Sequence, residues 1–154
     1  MVKGEPESLD LIGRQLVFTA KGMREAFEDA LAAAGGSLPS WVVLNAVAEM
    51  GVVSQAALAS HVQLEGATIT HHVDRLEAAG LVRRVPDPAD RRVRRLELTE
   101  AGTALHRQML VEAIRLQRSL MAGLGPDDKV ALKHCLDVIQ ANLAALGAPA
   151  APAA

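Results

Sequence analysis

The chain has 154 residues, a formal net charge of -2 and a 50% apolar composition, with only Phe18, Phe27 and Trp41 aromatic. That length accommodates one domain, or a binding module in a helical frame, with a core built from aliphatic side chains. No run approaches the roughly 20 apolar residues of a membrane span, residues 1–12 carry three acids and no apolar stretch, and Cys135 is alone, so the chain is expected to be cytoplasmic, without a disulfide or a structural zinc site.

From Leu9 to Leu31 the residues Leu9, Ile12, Leu16, Met23, Phe27 and Leu31 recur at helical spacing, which predicts one long amphipathic helix ended by Gly35-Gly36. Ser37 is placed to cap a second helix with Pro39 in its first turn, an inward stripe of Trp41, Leu44, Val47 and Ala48, and a stop at Gly51. Val52-Val53 is long enough only for a strand stub. Ser54 caps a short helix reaching Val62, and a turn through Gln63-Leu64-Glu65 leads to a helix over residues 66–79 that buries Ile69, Val73 and Leu76, with Gly80 at its end. Two short helices joined this way form a helix-turn-helix.

After Gly80 the apolar period shortens to about two. Residues 81–85 and 93–98 read as strands joined by a loop with Pro86 and Pro88, a hairpin wing. Thr99 then caps a helix whose face runs through Leu105, Met109, Ala113, Leu116, Leu120 and Leu124 to Gly125. Pro126, Asp127 and Asp128 open a last helix to Leu146, in which Val130, Leu132, Leu136, Ile139, Leu143 and Leu146 occupy more than one stripe. Such a helix needs more apolar cover than one chain's surface gives, which suggests burial against a second copy. The tail 147–154 is all Gly, Ala and Pro and reads as disordered. The expected fold is therefore mainly α with a small antiparallel β-wing of two or three strands: a DNA-binding lobe at 37–98 flanked by dimerisation helices at 8–36 and 99–146.

Charge is concentrated in the wing. Residues 81–98 hold Arg83, Arg84, Arg91, Arg92, Arg94 and Arg95 against Asp87, Asp90 and Glu97, a local excess of three positive charges on an otherwise acidic chain. A focused positive patch of this kind suits phosphate contact. If Ile69, Val73 and Leu76 face inward, Ala67, His71, Asp74 and Ala78 face outward, flanked by Thr70 and Arg75. The candidate groove-reading residues are thus Gly66, Ala67, Thr68, Thr70 and His71 in the first two turns, where a threonine methyl can meet a thymine methyl and His71 can donate to a base. The candidate phosphate and wing contacts are Ser54, Gln55, Arg75, Asp90, Arg91, Arg92 and Arg94, with Arg91 and Arg92 at the tip able to enter a minor groove.

The run ITHHVDRLEAAGLVRRVPDPADRRVRRLELTEAG, Ile69 to Gly102, resembles the multiple-antibiotic-resistance repressor (MarR) family: its recognition helix, its Asp-x-Arg wing and the Leu-Thr-x-x-Gly start of its dimer helix. SLPSWVVLNAVAE, Ser37 to Glu49, is similar to that family's second helix. The resemblance implies six helices around the wing and a homodimer interlocked through its first, fifth and sixth helices. It also implies Asp90 and Arg92 as the wing pair, a pseudo-palindromic operator, and repression relieved by a small phenolic or other hydrophobic effector bound between the dimer helices and the DNA-binding lobe.

Phe18, Trp41 and Met109 are the candidate effector-pocket residues, though side chains of this kind at helical spacing also build cores. The family members that sense peroxides use a cysteine near the start of the chain. Cys135 lies in the last helix and is expected to be a buried structural thiol. The five histidines give no metal pair: His71-His72 and His134-Cys135 are adjacent and diverge, and no His-x-x-x-His exists. No nucleophile elbow, P-loop or dinucleotide glycine pattern supports an enzyme, and no cofactor is implied. The alternative reading is a winged helix that binds only protein, a role that needs no cluster of six arginines.

Overall fold

The computed structural model describes residues 7–90 and 93–147; residues 148–154 of the predicted tail and the wing-tip residues Arg91 and Arg92 lie outside them, whereas Gly147 ends the last helix. Nine elements follow in order: α1 (Glu7–Ala33), α2 (Leu38–Met50), β1 (Val53–Ser54), α3 (Gln55–Val62), α4 (Gly66–Ala78), β2 (Val82–Pro86), β3 (Arg94–Leu98), α5 (Glu100–Leu120) and α6 (Pro126–Gly147). The chain forms two compact units, one to Leu116 and one from Gln117. Among the described residues no single helix is long and apolar enough to cross a membrane.

Local chemistry sets most boundaries. Ser37 and Ser40 close a reciprocal capping box at the start of α2: the Ser37 hydroxyl accepts from the Ser40 amide, and the Ser40 hydroxyl accepts from the Ser37 amide. Pro39 sits in the first turn, where its missing N–H leaves no bond unmade. At Gly51 the backbone turns to a φ of 73°, where a side chain would be strained, and α2 ends.

The core forms where α2, α3, α4 and the sheet meet. Leu31 of α1, Val43, Leu44 and Val47 of α2, Leu58 of α3, Ile69, Val73 and Leu76 of α4, Val82 and Leu96 of the strands, and Met109 of α5 are all buried. The inward side of α2 differs from its expected stripe, since Val43 and Ala46 are buried and Ala48 is exposed. Neighbours on several sides of α2 cover more than one stripe, which a single periodic pattern cannot express.

The sheet has the order β1-β3-β2, antiparallel throughout, with Val53 opposite Leu96, Val82 opposite Leu98 and Arg83 opposite Glu97. The two-residue strand β1 therefore covers the outer edge of β3. At the hairpin's other end, Thr99 joins the sheet to α5: its amide donates to the Leu81 carbonyl at 3.1 Å, its hydroxyl donates to Gly80 at 2.6 Å, and the same oxygen accepts from the Gly102 amide at 3.0 Å.

Three expectations are corrected. The fifth helix stops at Leu120 rather than Leu124, because Gly123 takes a φ of 85° and the chain turns through residues 121–123. Leu11, Ile12, Val17 and Phe18 on the first half of α1 are exposed, so only its second half reaches the core, through Phe27 and Leu31. Cys135 is exposed rather than buried, because α6 leaves nearly its whole length uncovered.

Candidate nucleic-acid interface

The second helix of the pair, α4, has the two faces that its sequence demands. Ile69, Val73 and Leu76 lie in the core, whereas Gly66, Ala67, Thr68, Thr70, His71, Asp74, Arg75 and Ala78 are not covered by it. Its N-cap, Glu65, makes no side-chain capping bond, so the amides of Gly66, Ala67 and Thr68 have no side-chain cap. The turn from α3 is tight because Gln63 takes a left-handed conformation with a φ of 54°. That turn fixes α4 across α3 through a short connection.

Polar groups around α4 are organised by one residue of β2. The Arg84 guanidinium donates to Asp74 at 2.6 Å, to Glu77 through its other terminal nitrogen, and to the Gln55 carbonyl oxygen at 3.3 Å, while the Arg84 amide donates to Glu77 at 3.2 Å. Asp74, above all through its hydrogen bond, then Glu77 through its charge, hold the guanidinium proton more tightly than usual, against the opposing effect of burial. Gln55 continues the chain: its side-chain amide donates to the Thr70 hydroxyl at 2.6 Å, and that hydroxyl donates to the Gly66 carbonyl at 2.8 Å. Strand, short helix and exposed helix are thus joined by one line of hydrogen bonds.

This network changes the meaning of the arginine cluster. Arg84 pairs with two carboxylates of α4, Arg83 with its cross-strand neighbour Glu97, and Arg95 with Asp87. Three of the six arginines are therefore neutralised by the protein's own acids. Arg75 and Arg94 have no ion-pair partner among the described residues. These two can meet phosphates without first breaking an internal pair.

Asp87 fixes the base of the wing loop. It is 7% exposed, and its carboxylate accepts from the amides of Ala89 at 2.7 Å and Asp90 at 3.4 Å and from Arg95. Those bonds, the Ala89 amide first and Arg95 next, hold its carboxyl below the usual range. The loop closes with backbone bonds from Asp87 to Val93 and from Val93 to Asp90, both at 2.9 Å. The expected pairing of Asp90 with Arg92 lies outside the described residues.

Other candidates are placed as follows. Ser54 caps α3, its hydroxyl accepting from the Ala57 amide at 3.2 Å, and Gln55 is the relay just described. The effector trio is not brought together. Met109 is fully buried against Gly36, Phe18 is exposed on α1, and Trp41 lies between Phe27, edge-on at 5.8 Å, and His106, stacked at 5.7 Å. His106 also bonds Asn45 at 3.1 Å, and burial lowers its pKa against the opposing charge of Glu49. Beside it an open cleft of about 320 Å³ is lined by Val47, Val52, Glu97, Leu98, His106 and Arg107 among others. Among the described residues no three His, Cys, Asp or Glu side chains converge in a way that could hold a metal.

Sequence reasoning counted Arg84 among the phosphate-seeking charges and missed its bracing role. The signal was present in Asp74 and Glu77, three apart on one helix face, with Arg84 seven residues beyond Glu77 on the following strand. Two carboxylates on one helix face call for a cation close by.

Comparisons with known proteins agree with the fold. The MarR family model matches residues 37–93. The transcriptional repressor NicR of Pseudomonas putida is 38% identical over 96 residues, covering 62% of this chain and 61% of NicR. The chain thus spans about three fifths of the length of that curated relative. Among solved structures, Bordetella bronchiseptica BpsR, described with regulation of its DNA binding by 6-hydroxynicotinic acid, aligns with a TM-score of 0.71 at 27% identity, covering 84% of this chain and 98% of BpsR. A single-residue mutant of E. coli MarR complexed with operator DNA shares the fold, with a TM-score of 0.75 at 20% identity over 88% of this chain and 99% of that one.

Proposed function

We propose that this chain, which belongs to the MarR family, is a cytoplasmic, homodimeric transcriptional repressor without enzymatic activity. It binds a pseudo-palindromic operator through α4 and the wing, and a small aromatic or other hydrophobic effector releases it. The observation that carries the reading is the two-faced α4: one face packed as Ile69, Val73 and Leu76, the other exposing small and hydroxylated residues beside Arg75 and the wing. A helix exposed in this way, with an uncapped N-terminus, suits insertion into a major groove roughly 12 Å wide.

Repression and effector release rest on relatives: NicR is a repressor, and the DNA binding of BpsR is regulated by 6-hydroxynicotinic acid. An effector acts only by favouring a spacing of the two reading heads that does not fit the operator, and a difference of a few kcal/mol is enough to empty it. The cleft beside His106 and Arg107 offers a cation and an imidazole next to Val47 and Leu98, a lining suited to an aromatic acid.

The experiment is a fluorescence titration of the protein against a labelled random duplex and against a duplex enriched from a randomised library, at about 50 and 200 mM salt. Binding to both that falls steeply with salt, and persists at high salt only for the enriched duplex, is the expected result. A winged helix that docks only protein would bind neither.

A further inference from the structure

Resting on that reading of α4, we infer that the direction of the Arg84–Gln55–Thr70–Gly66 hydrogen-bond line makes Thr70 a reader of the pyrimidine 5-methyl group rather than a hydrogen-bond donor to a base. A guanidinium has donors and no acceptor, so the Gln55 oxygen must face Arg84, as it does at 3.3 Å. That choice turns the Gln55 NH2 toward Thr70, where it donates to the hydroxyl at 2.6 Å. The hydroxyl hydrogen is thereby directed away from Gln55 and onto the Gly66 carbonyl at 2.8 Å. Thr70 has one hydroxyl donor, and it is occupied within the helix. With its donor spent and one lone pair taken by Gln55, this exposed side chain has no hydrogen to give a base, and the group it presents outward is its γ-methyl, whose matching feature in the major groove is the methyl of thymine.

Arg84 is then a positioning residue. It acts on base choice through the rotamer of Thr70 and not through its own charge, which Asp74 and Glu77 balance. Without it the Gln55 amide is free to reverse, and the Thr70 hydroxyl can turn outward to hydrogen-bond a base.

The test uses the full-length protein and a duplex enriched from a randomised library, with each thymine replaced singly by uracil. For the wild type, one symmetric pair of replacements should weaken binding roughly fourfold per half-site, the worth of one buried methyl group. Thr70→Val, which keeps the methyl and removes the hydroxyl, should retain that discrimination. Arg84→Met should lose that discrimination, and adding Thr70→Val to Arg84→Met should restore it. Insensitivity of the wild type to every uracil, or loss of discrimination in Thr70→Val, would overturn the assignment, and neither result depends on how well the Arg84 variant folds. Uracil discrimination retained in Arg84→Met, with equal weakening on enriched and random duplexes and a shallower salt dependence, would instead make Arg84 a phosphate contact and overturn its positioning role. Absence of salt-dependent duplex binding by the wild type would remove the repressor reading itself, a result distinct from all of these.

Discussion

Asp87 is almost wholly covered, and its carboxylate holds two loop amides and Arg95. Because its folded-state pKa lies below the ordinary 3.8, its contribution is complete above that value and disappears as the pH falls through the depressed one. Urea unfolding of the wild type and of Asp87→Asn should therefore differ by a constant amount from about pH 8 to about pH 5, and the gap should close in stronger acid. A gap of equal size at all pH values would assign Asp87 a role that does not depend on its charge. At this scale the sequence was a partial guide. Residues 67, 71, 74 and 78 were read as outward-facing from periodicity alone, and they are exposed. The pairing of Arg83 with Glu97 and of Arg95 with Asp87 was not legible, because cross-strand neighbours depend on a register that the loop, not the strand pattern, sets.

Among the elements, the junction of the hairpin with α5 is the most tightly determined. Thr99 bonds Gly80 and Leu81 and caps the helix by accepting from Gly102, which brings the Gly102 backbone against the Leu81 carbonyl. A β-carbon at residue 102 would overlap that carbonyl oxygen, and the obstacle is backbone that cannot swing aside. Gly102→Ala should therefore destabilise the protein by about 1–3 kcal/mol despite the better helix propensity of alanine, lowering the melting temperature by several degrees. A calorimetric scan with an unchanged or raised midpoint would show that the junction can open without cost. This physical reason underlies the Leu-Thr-x-x-Gly spacing that the sequence displays at residues 98–102. Caps and glycine stops were legible throughout because they act within a few residues, as at Ser37, Ser54 and Gly51. The end of α5 was not, since Leu124 continues the apolar period past the turn and periodicity cannot see Gly123 adopt a positive φ.

At the scale of the whole molecule, the apolar residues of α6 are left without cover: Val130, Leu132, Leu136, Val138, Leu143 and Leu146 are all exposed, Leu143 by 62%. The first half of α1 is in the same condition at Leu11, Ile12, Val17 and Phe18. Scattered exposed leucines are ordinary, but two helices that each display a row of them mark surfaces meant for burial. Under the proposed function the partner is a second copy, because a two-fold operator would require one. Leu143→Asp discriminates sharply between the two states: in a monomer it places a charge in water at negligible cost, whereas in a dimer it buries an unpaired carboxylate. Sedimentation equilibrium should show a dimeric wild type and a monomeric variant with unchanged far-ultraviolet circular dichroism, and a variant that remains dimeric would move the interface elsewhere. The same substitution lies far in sequence from α4, yet it should weaken binding to the enriched duplex by about a hundredfold or more, since two reading heads that were linked must then engage their half-sites independently.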